Sequence, residues 1–173
     1  TTITYSTPNH ENGTVTFLSG RGGTVLGTAT FSNIETITLA CFTPGTLIET
    51  LRGPCPVEQI ACGDRLLTRD SGYQPVRWVG RRDLTAGNLA ANPALRPILI
   101  ERGALGPGRP DRDMMVSPQH RVLLSGGRTE LVAGESEVLA AAAHLVGHPG
   151  IRRVTVPGTS YIHFMFDRHE IVR

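Results

Sequence analysis

Three places in this sequence hold side chains able to break or transfer an acyl group. Cys41 stands where a β-rich polar segment meets an abrupt turn, Phe42-Thr43-Pro44-Gly45. The run Ser117-Pro118-Gln119-His120 carries a hydroxyl and an imidazole within one short break, and His163 and His169 come late in the chain. A thiol attacks as its thiolate, and the departing group needs a proton. Histidine titrates near neutrality and can serve either need. A serine two positions before Gln-His can hold a carbonyl by hydrogen bond. Residue types alone leave Cys41 two readings: a small packed core residue, or a nucleophile aimed at the peptide bond just before it.

The elements that must position these groups are mostly strands. From Thr1 to Ala40 the runs TITYS, GTVTFL, TVLGTATF and IETITLA are alternating and β-branched, with SGRGG as a hairpin loop. After Cys41, TLIET predicts a strand, and GDRLLTRDSGYQPVRWVGRR a hairpin turning at Asp70-Ser71-Gly72 with alternation through Val76 and Trp78. LTAGNLAANPAL holds a short helix closed at Asn92-Pro93, and RPILIE is a further strand. MMVSPQHRVLL is strand, break, strand, with a turn at Ser125-Gly126-Gly127, and ESEVLAAAAHLV is the strongest helix signal, stopped by Gly147 and His148-Pro149. RVTVPGTSYIHFMFDRHEIV supplies two last strands. The fold class is all-β with one or two short helices.

Composition narrows the function classes. A chain of 173 residues with 39% hydrophobic and 18% charged residues has enough apolar mass for one good core, and Gly 20 and Pro 12 favour turns over long helices. A net charge of +2 with dispersed arginines argues against a nucleic-acid partner. No apolar run approaches the length of a membrane span, and the opening residues do not read as a signal peptide. The abrupt start and stop suggest an excised piece of a longer protein. The three cysteines Cys41, Cys55 and Cys62 are an odd number, so at least one is unpaired. Cys55 and Cys62 either bridge each other or are both free. No C-x-x-C pair points to zinc, and no metal or cofactor is expected.

CFTPGTLIET, VEQIACGDRLLTRDSGYQPVRWVGRR, PILIERGALG, RDMMVSPQHRVLL and YIHFMFDRHE follow one another in that order. Together they resemble the bacterial Hint domain of hedgehog and intein type, found in large secreted proteins, often behind calcium-binding repeats. The resemblance covers Cys41 to the last residue. It implies a flat, horseshoe-like, pseudo-two-fold β domain over 41–173, truncated at its C-terminus, with 1–40 as a flanking, extein-like segment. It also implies a secreted or extracellular setting. In that family the first residue of the domain is the nucleophile, which places it at Cys41 with the Ala40 carbonyl as electrophile. The implied reaction is an N-to-S acyl shift, uphill for an ordinary amide and so in need of strain at Ala40-Cys41 and of a proton for the departing amine. The family's Thr-x-x-His motif appears here as Ser117-Pro118-Gln119-His120. That makes His120 the candidate proton donor and Ser117 a hydroxyl that has lost a methyl group.

His169 matches the late histidine of the intein-like pattern, and Asp167 stands two positions before it. In inteins that region serves C-terminal cleavage, which also requires a terminal His-Asn. No Asn follows His169, so the resemblance supports N-terminal cleavage or acyl transfer and not splicing. The implied partners are the chain's own upstream flank as substrate and a small acceptor such as water, a thiol or an amine. Neither nucleic acid nor membrane is implied. An acidic helper is common in hedgehog-like members, and Asp64, Asp111 and Asp113 remain open for it. His163 alternates with Tyr161 and Met165 along a strand and reads as packing or surface. His144 and His148 read as cations at a helix C-terminus rather than a metal pair. The competing function is a non-catalytic Hint-fold linker or interaction module; a cysteine hydrolase acting in trans is a third.

Overall fold

The computed structural model describes residues 2–5, 13–18, 25–31, 40–126 and 134–173. The chain divides into two compact units, Thr1–Thr38 and Leu39–Arg173. In the first, β1 (Thr2–Tyr5), β2 (Gly13–Leu18) and β3 (Val25–Phe31) form an antiparallel sheet in chain order. The expected SGRGG loop and most of the IETITLA strand lie outside the described residues.

The second unit is built on alternation. β4 (Leu47–Thr50) buries Ile48 and Thr50, and β6 (Arg65–Thr68) buries Leu66 and Thr68. They lie in one sheet of order β5-β4-β6-β7, with β5 at Gly53–Pro56 and β7 at Gly72–Pro75. Both strands that hold prolines are edge strands, where a missing N–H breaks no ladder. The predicted β6–β7 hairpin turns as its Asp-Ser-Gly signal requires, with Gly72 at φ 65°. Thr85 caps α1 (Ala86–Ala91) through a reciprocal pair with Asn88, and Asn92-Pro93 ends it.

A second sheet runs β10 (Met114–Val116), β9 (Ile98–Ile100), β13 (Ile151–Arg153). β8 (Trp78–Thr85) and β14 (Gly158–Met165) form a long antiparallel ribbon. The main core gathers Ile48, Leu66, Ile98, Val116 and Ile162 from these layers, all nearly without solvent exposure.

One expectation fails. ESEVLAAAAHLV is no helix: Glu137–Ala141 is a strand, β12, in register with β11 (Arg121–Ser125), and only Ala142–Leu145 coils into a 3-10 turn. β11 offers five residues of open ladder, and tertiary pairing overrides the helical preference of alanine and leucine. With no α-helix ending at Gly147, the helix-terminus reading of His144 and His148 falls with it. Of the expected Ser125-Gly126-Gly127 turn, Gly127 lies outside the described residues. Cys41, Cys55 and Cys62 are all free thiols, so the Cys55–Cys62 bridge is absent.

Candidate active site

Phe42 is a one-residue strand. It bridges Val116 at the end of β10 on one side and Ile162 of β14 on the other. Its N–H donates to Ile162 O at 2.9 Å, Ile162 N–H donates back to Phe42 O at 2.9 Å, and Ser117 N–H donates to Cys41 O at 2.9 Å. Extended backbone sends neighbouring side chains to opposite faces. The Phe42 ring enters the main core, stacked on Phe164 with centroids 5.5 Å apart. Cys41 goes the other way, into a small apolar cluster with Leu84, Leu89 and Tyr161.

Side chains hold both polar atoms of the Ala40–Cys41 peptide. The Cys41 N–H donates to Ser117 Oγ at 2.9 Å. The Ala40 carbonyl oxygen lies 2.7 Å from His163 Nδ1. A carbonyl only accepts, so the ring is the tautomer with its proton on Nδ1. His163 thus touches the peptide where the sequence suggested packing or surface. Nothing local announces this, because 123 positions separate the two residues.

The turn carrying Ser117 and His120 is fixed from below. Ala142 N–H donates to His120 O at 2.8 Å and Ala143 N–H to Pro118 O at 2.9 Å. The 3-10 turn at Ala142–Leu145 therefore props the motif. The His120 ring meets Phe42 edge-on with centroids 4.3 Å apart, and its buried Nδ1 has no hydrogen-bond partner among the described residues.

Burial sets the electrostatics. It pushes the Cys41 thiol up to about 12, opposed by the exposed Arg82, which shares a face of β8 with Leu84. Burial also pushes His120 down to about 4, helped by the charge of His163 and opposed by the Cys41 backbone. His163 is lowered too, by burial, against its contact with the Ala40 backbone. At neutral pH the thiol is protonated and both imidazoles are neutral.

Of the residues singled out from sequence, Cys41, Ser117 and His120 come together, and His163 joins them. His169 is exposed and makes no side-chain hydrogen bond among the described residues. Asp167 is exposed and forks to Arg77 through contacts of 2.8–3.1 Å. Asp111 pairs with Arg112, and Asp113 Oδ1 accepts from Arg102 N–H at 2.8 Å. Asp111 and Asp113 line a separate cleft of about 620 Å³ that includes Phe42 and Thr43 but not Cys41. Asp64 accepts from Ala61 N–H and pairs with Arg52. No carboxylate approaches the thiol among the described residues. Nor do the described residues bring three His, Cys, Asp or Glu side chains together to hold a metal.

A family model described as Hint domain matches residues 40–173. The chain belongs to the Hint domain family. This Hint domain is similar to the gp41-1 intein (TM-score 0.43, 12% identity, covering 75% of this chain and 88% of that one). It is also similar to a splice-inactive, GSH-linked variant of the AceL NrdHF class 3 split intein (0.42, 16%, 78% and 82%). A third similar structure is the Msm DnaB1 intein splicing domain bound with zinc (0.37, 19%, 78% and 80%). No curated protein matches the chain. The protein is a self-processing domain of Hint type with an all-β Hint fold.

Proposed function

We propose that this Hint domain performs an N-to-S acyl shift at Ala40–Cys41, giving a thioester that water, a thiol or an amine resolves, with no splicing step. Cys41 Sγ bonds to the Ala40 carbonyl carbon, the bond from that carbon to Cys41 N breaks, and the thiol proton ends on the freed amine. One observation carries the reading. The peptide just before the cysteine is gripped at both ends, by Ser117 Oγ on its N–H and by His163 Nδ1 on its oxygen. His163 donates to the atom that gains negative charge during attack, where a preorganised donor lowers the barrier most. His120 lies against the Cys41 backbone with one ring nitrogen uncommitted, and serves as the relay for the thiol proton. Arg82 supplies the positive field that favours the thiolate. The attack is intramolecular, so placement replaces any cofactor.

The second reading, a non-catalytic linker or interaction module, is favoured by one feature: the thiol is buried and held protonated up to about 12. A single experiment separates the two. The purified chain is incubated with and without a strong thiol or hydroxylamine, beside Cys41→Ala, and followed by gel and intact mass. Release of a 1–40 fragment by wild type alone supports the acyl shift. Its absence under both reagents leaves the linker reading.

A further inference from the structure

Four residues of β8 alternate on the face that looks toward the scissile peptide: Trp78, Gly80, Arg82 and Leu84. Across the ribbon they pair in register with Met165, His163, Tyr161 and Thr159. Gly80 therefore lies directly opposite His163. A Cβ built on Gly80 would fall 2.0 Å from Cη2, 2.5 Å from Cζ2 and 2.9 Å from Cζ3 of Trp78. The six-membered ring of the indole occupies the space a side chain at position 80 would need. From that seat it meets the His163 imidazole edge-on, with centroids 6.0 Å apart and planes at 61°.

Gly80 is not among the glycines with a left-handed φ, so conformational freedom does not explain it. A glycine inside a strand weakens the strand, and a close approach by another group is the usual compensation. Here the approaching group is the indole, and what it touches is the imidazole whose Nδ1 lies 2.7 Å from the Ala40 oxygen. That hydrogen bond fixes one point of the ring and leaves its rotation about the side-chain torsions open. A large, rigid aromatic wall closes this freedom and shields the bond from water.

We propose that Trp78 is a positioning residue for the scissile carbonyl: folded back over Gly80, it holds the His163 ring with Nδ1 on Ala40 O. This rests on the reading of His163 as the group that polarises that carbonyl. Trp78→Ala removes the wall and Gly80→Ala pushes it away from the backbone. Trp78→Phe keeps an aromatic wall.

Each variant is made in the full chain, and thiol-induced release of the 1–40 fragment is timed as a function of pH. A parallel set in a Cys41→Ala background is examined by nitrogen NMR of the His163 ring. Trp78→Ala and Gly80→Ala are expected to slow release about 10- to 100-fold, the scale of an ångström-sized misplacement, with Trp78→Phe recovering most of the rate. In the Cys41→Ala set, Trp78→Ala shifts His163 from the Nδ1–H form toward a mixture of tautomers. Wild-type rates and an unchanged pH profile in Trp78→Ala overturn the proposal. So does a slowed variant that Trp78→Phe does not rescue and whose His163 signals are unaltered. A wild type that never cleaves removes the acyl-shift reading, and the NMR set then decides by itself whether Trp78 sets the His163 ring. If Trp78→Ala does not fold, Gly80→Ala and Trp78→Phe carry the same comparison.

Discussion

The two ends of the Ala40–Cys41 peptide are held in different ways. On the nitrogen side, Ser117 belongs to a turn pinned by backbone hydrogen bonds, from Ala142 to His120, from Ala143 to Pro118, and from Ser117 to Cys41. On the oxygen side, the His163 imidazole is set by ring contact with Trp78 and a single hydrogen bond. Main-chain pinning does not depend on which side chains the turn carries. Ring packing depends entirely on them. The nitrogen end should therefore tolerate substitution in its surroundings, while the oxygen end should lose function through changes that leave the fold intact.

The sharpest way to break this contrast is to remove the oxygen-side donor. His163→Ala should slow thiol-induced release by about 10²- to 10³-fold, the usual cost of one oxyanion donor, with an unchanged melting profile. Equal rates for His163→Ala and wild type would leave the oxygen end without a role.

The next test concerns protonation. Burial holds His120 at about 4 in the folded chain, below its ordinary 6.5. A depressed pKa stabilises the fold above pH 6.5, and that contribution is lost as pH falls from 6.5 toward 4. The total loss should be on the order of 3 kcal/mol. Denaturant titrations of wild type and His120→Gln should diverge in their pH dependence across that window, wild type falling more steeply.

On the nitrogen side, Ser117→Ala strands the buried Cys41 N–H. A stability loss of about 1–3 kcal/mol should follow, and Ser117→Thr should restore the hydrogen bond. Chemical denaturation measures both, and a Ser117→Ala chain as stable as wild type would remove Ser117 from the grip on that amide. The smallest effect belongs to the surface. Asp167→Asn and His169→Ala should change release by no more than about twofold, since exposed pairs such as Arg77–Asp167 contribute little. A larger loss at either position would extend the oxygen-side apparatus well beyond His163.

The same contrast marks what could be read from the sequence. The nitrogen side was legible through the resemblance to the Hint family, which singles out Cys41 and Ser117-Pro118-Gln119-His120; spacing alone did not join them, since 76 positions separate Cys41 from Ser117. The β6–β7 hairpin, announced by Asp-Ser-Gly, and α1, bounded by Thr85 and Asn92-Pro93, were legible locally. The oxygen side was not, because a histidine in an alternating strand looks the same whether it packs or donates. Its partner, Ala40, comes from the far end of the chain. One sign was present: Gly80 inside a strand, two residues after the only tryptophan, marks a close approach. Glu137–Ala141 misled for the opposite reason. Its local preference is helical, and only the open ladder of β11 makes it a strand.

Phe42 has a consequence for what the proposed cleavage would leave behind. Every hydrogen bond by which it joins β10 to β14 lies downstream of the Ala40–Cys41 bond. Severing the chain at Ala40 takes nothing from that seam, so the spent domain should keep its core and carry Cys41 as a new terminus stitched into the sheet. On the proposed reading, the molecule would discard its upstream 40 residues without loosening the joint at Phe42.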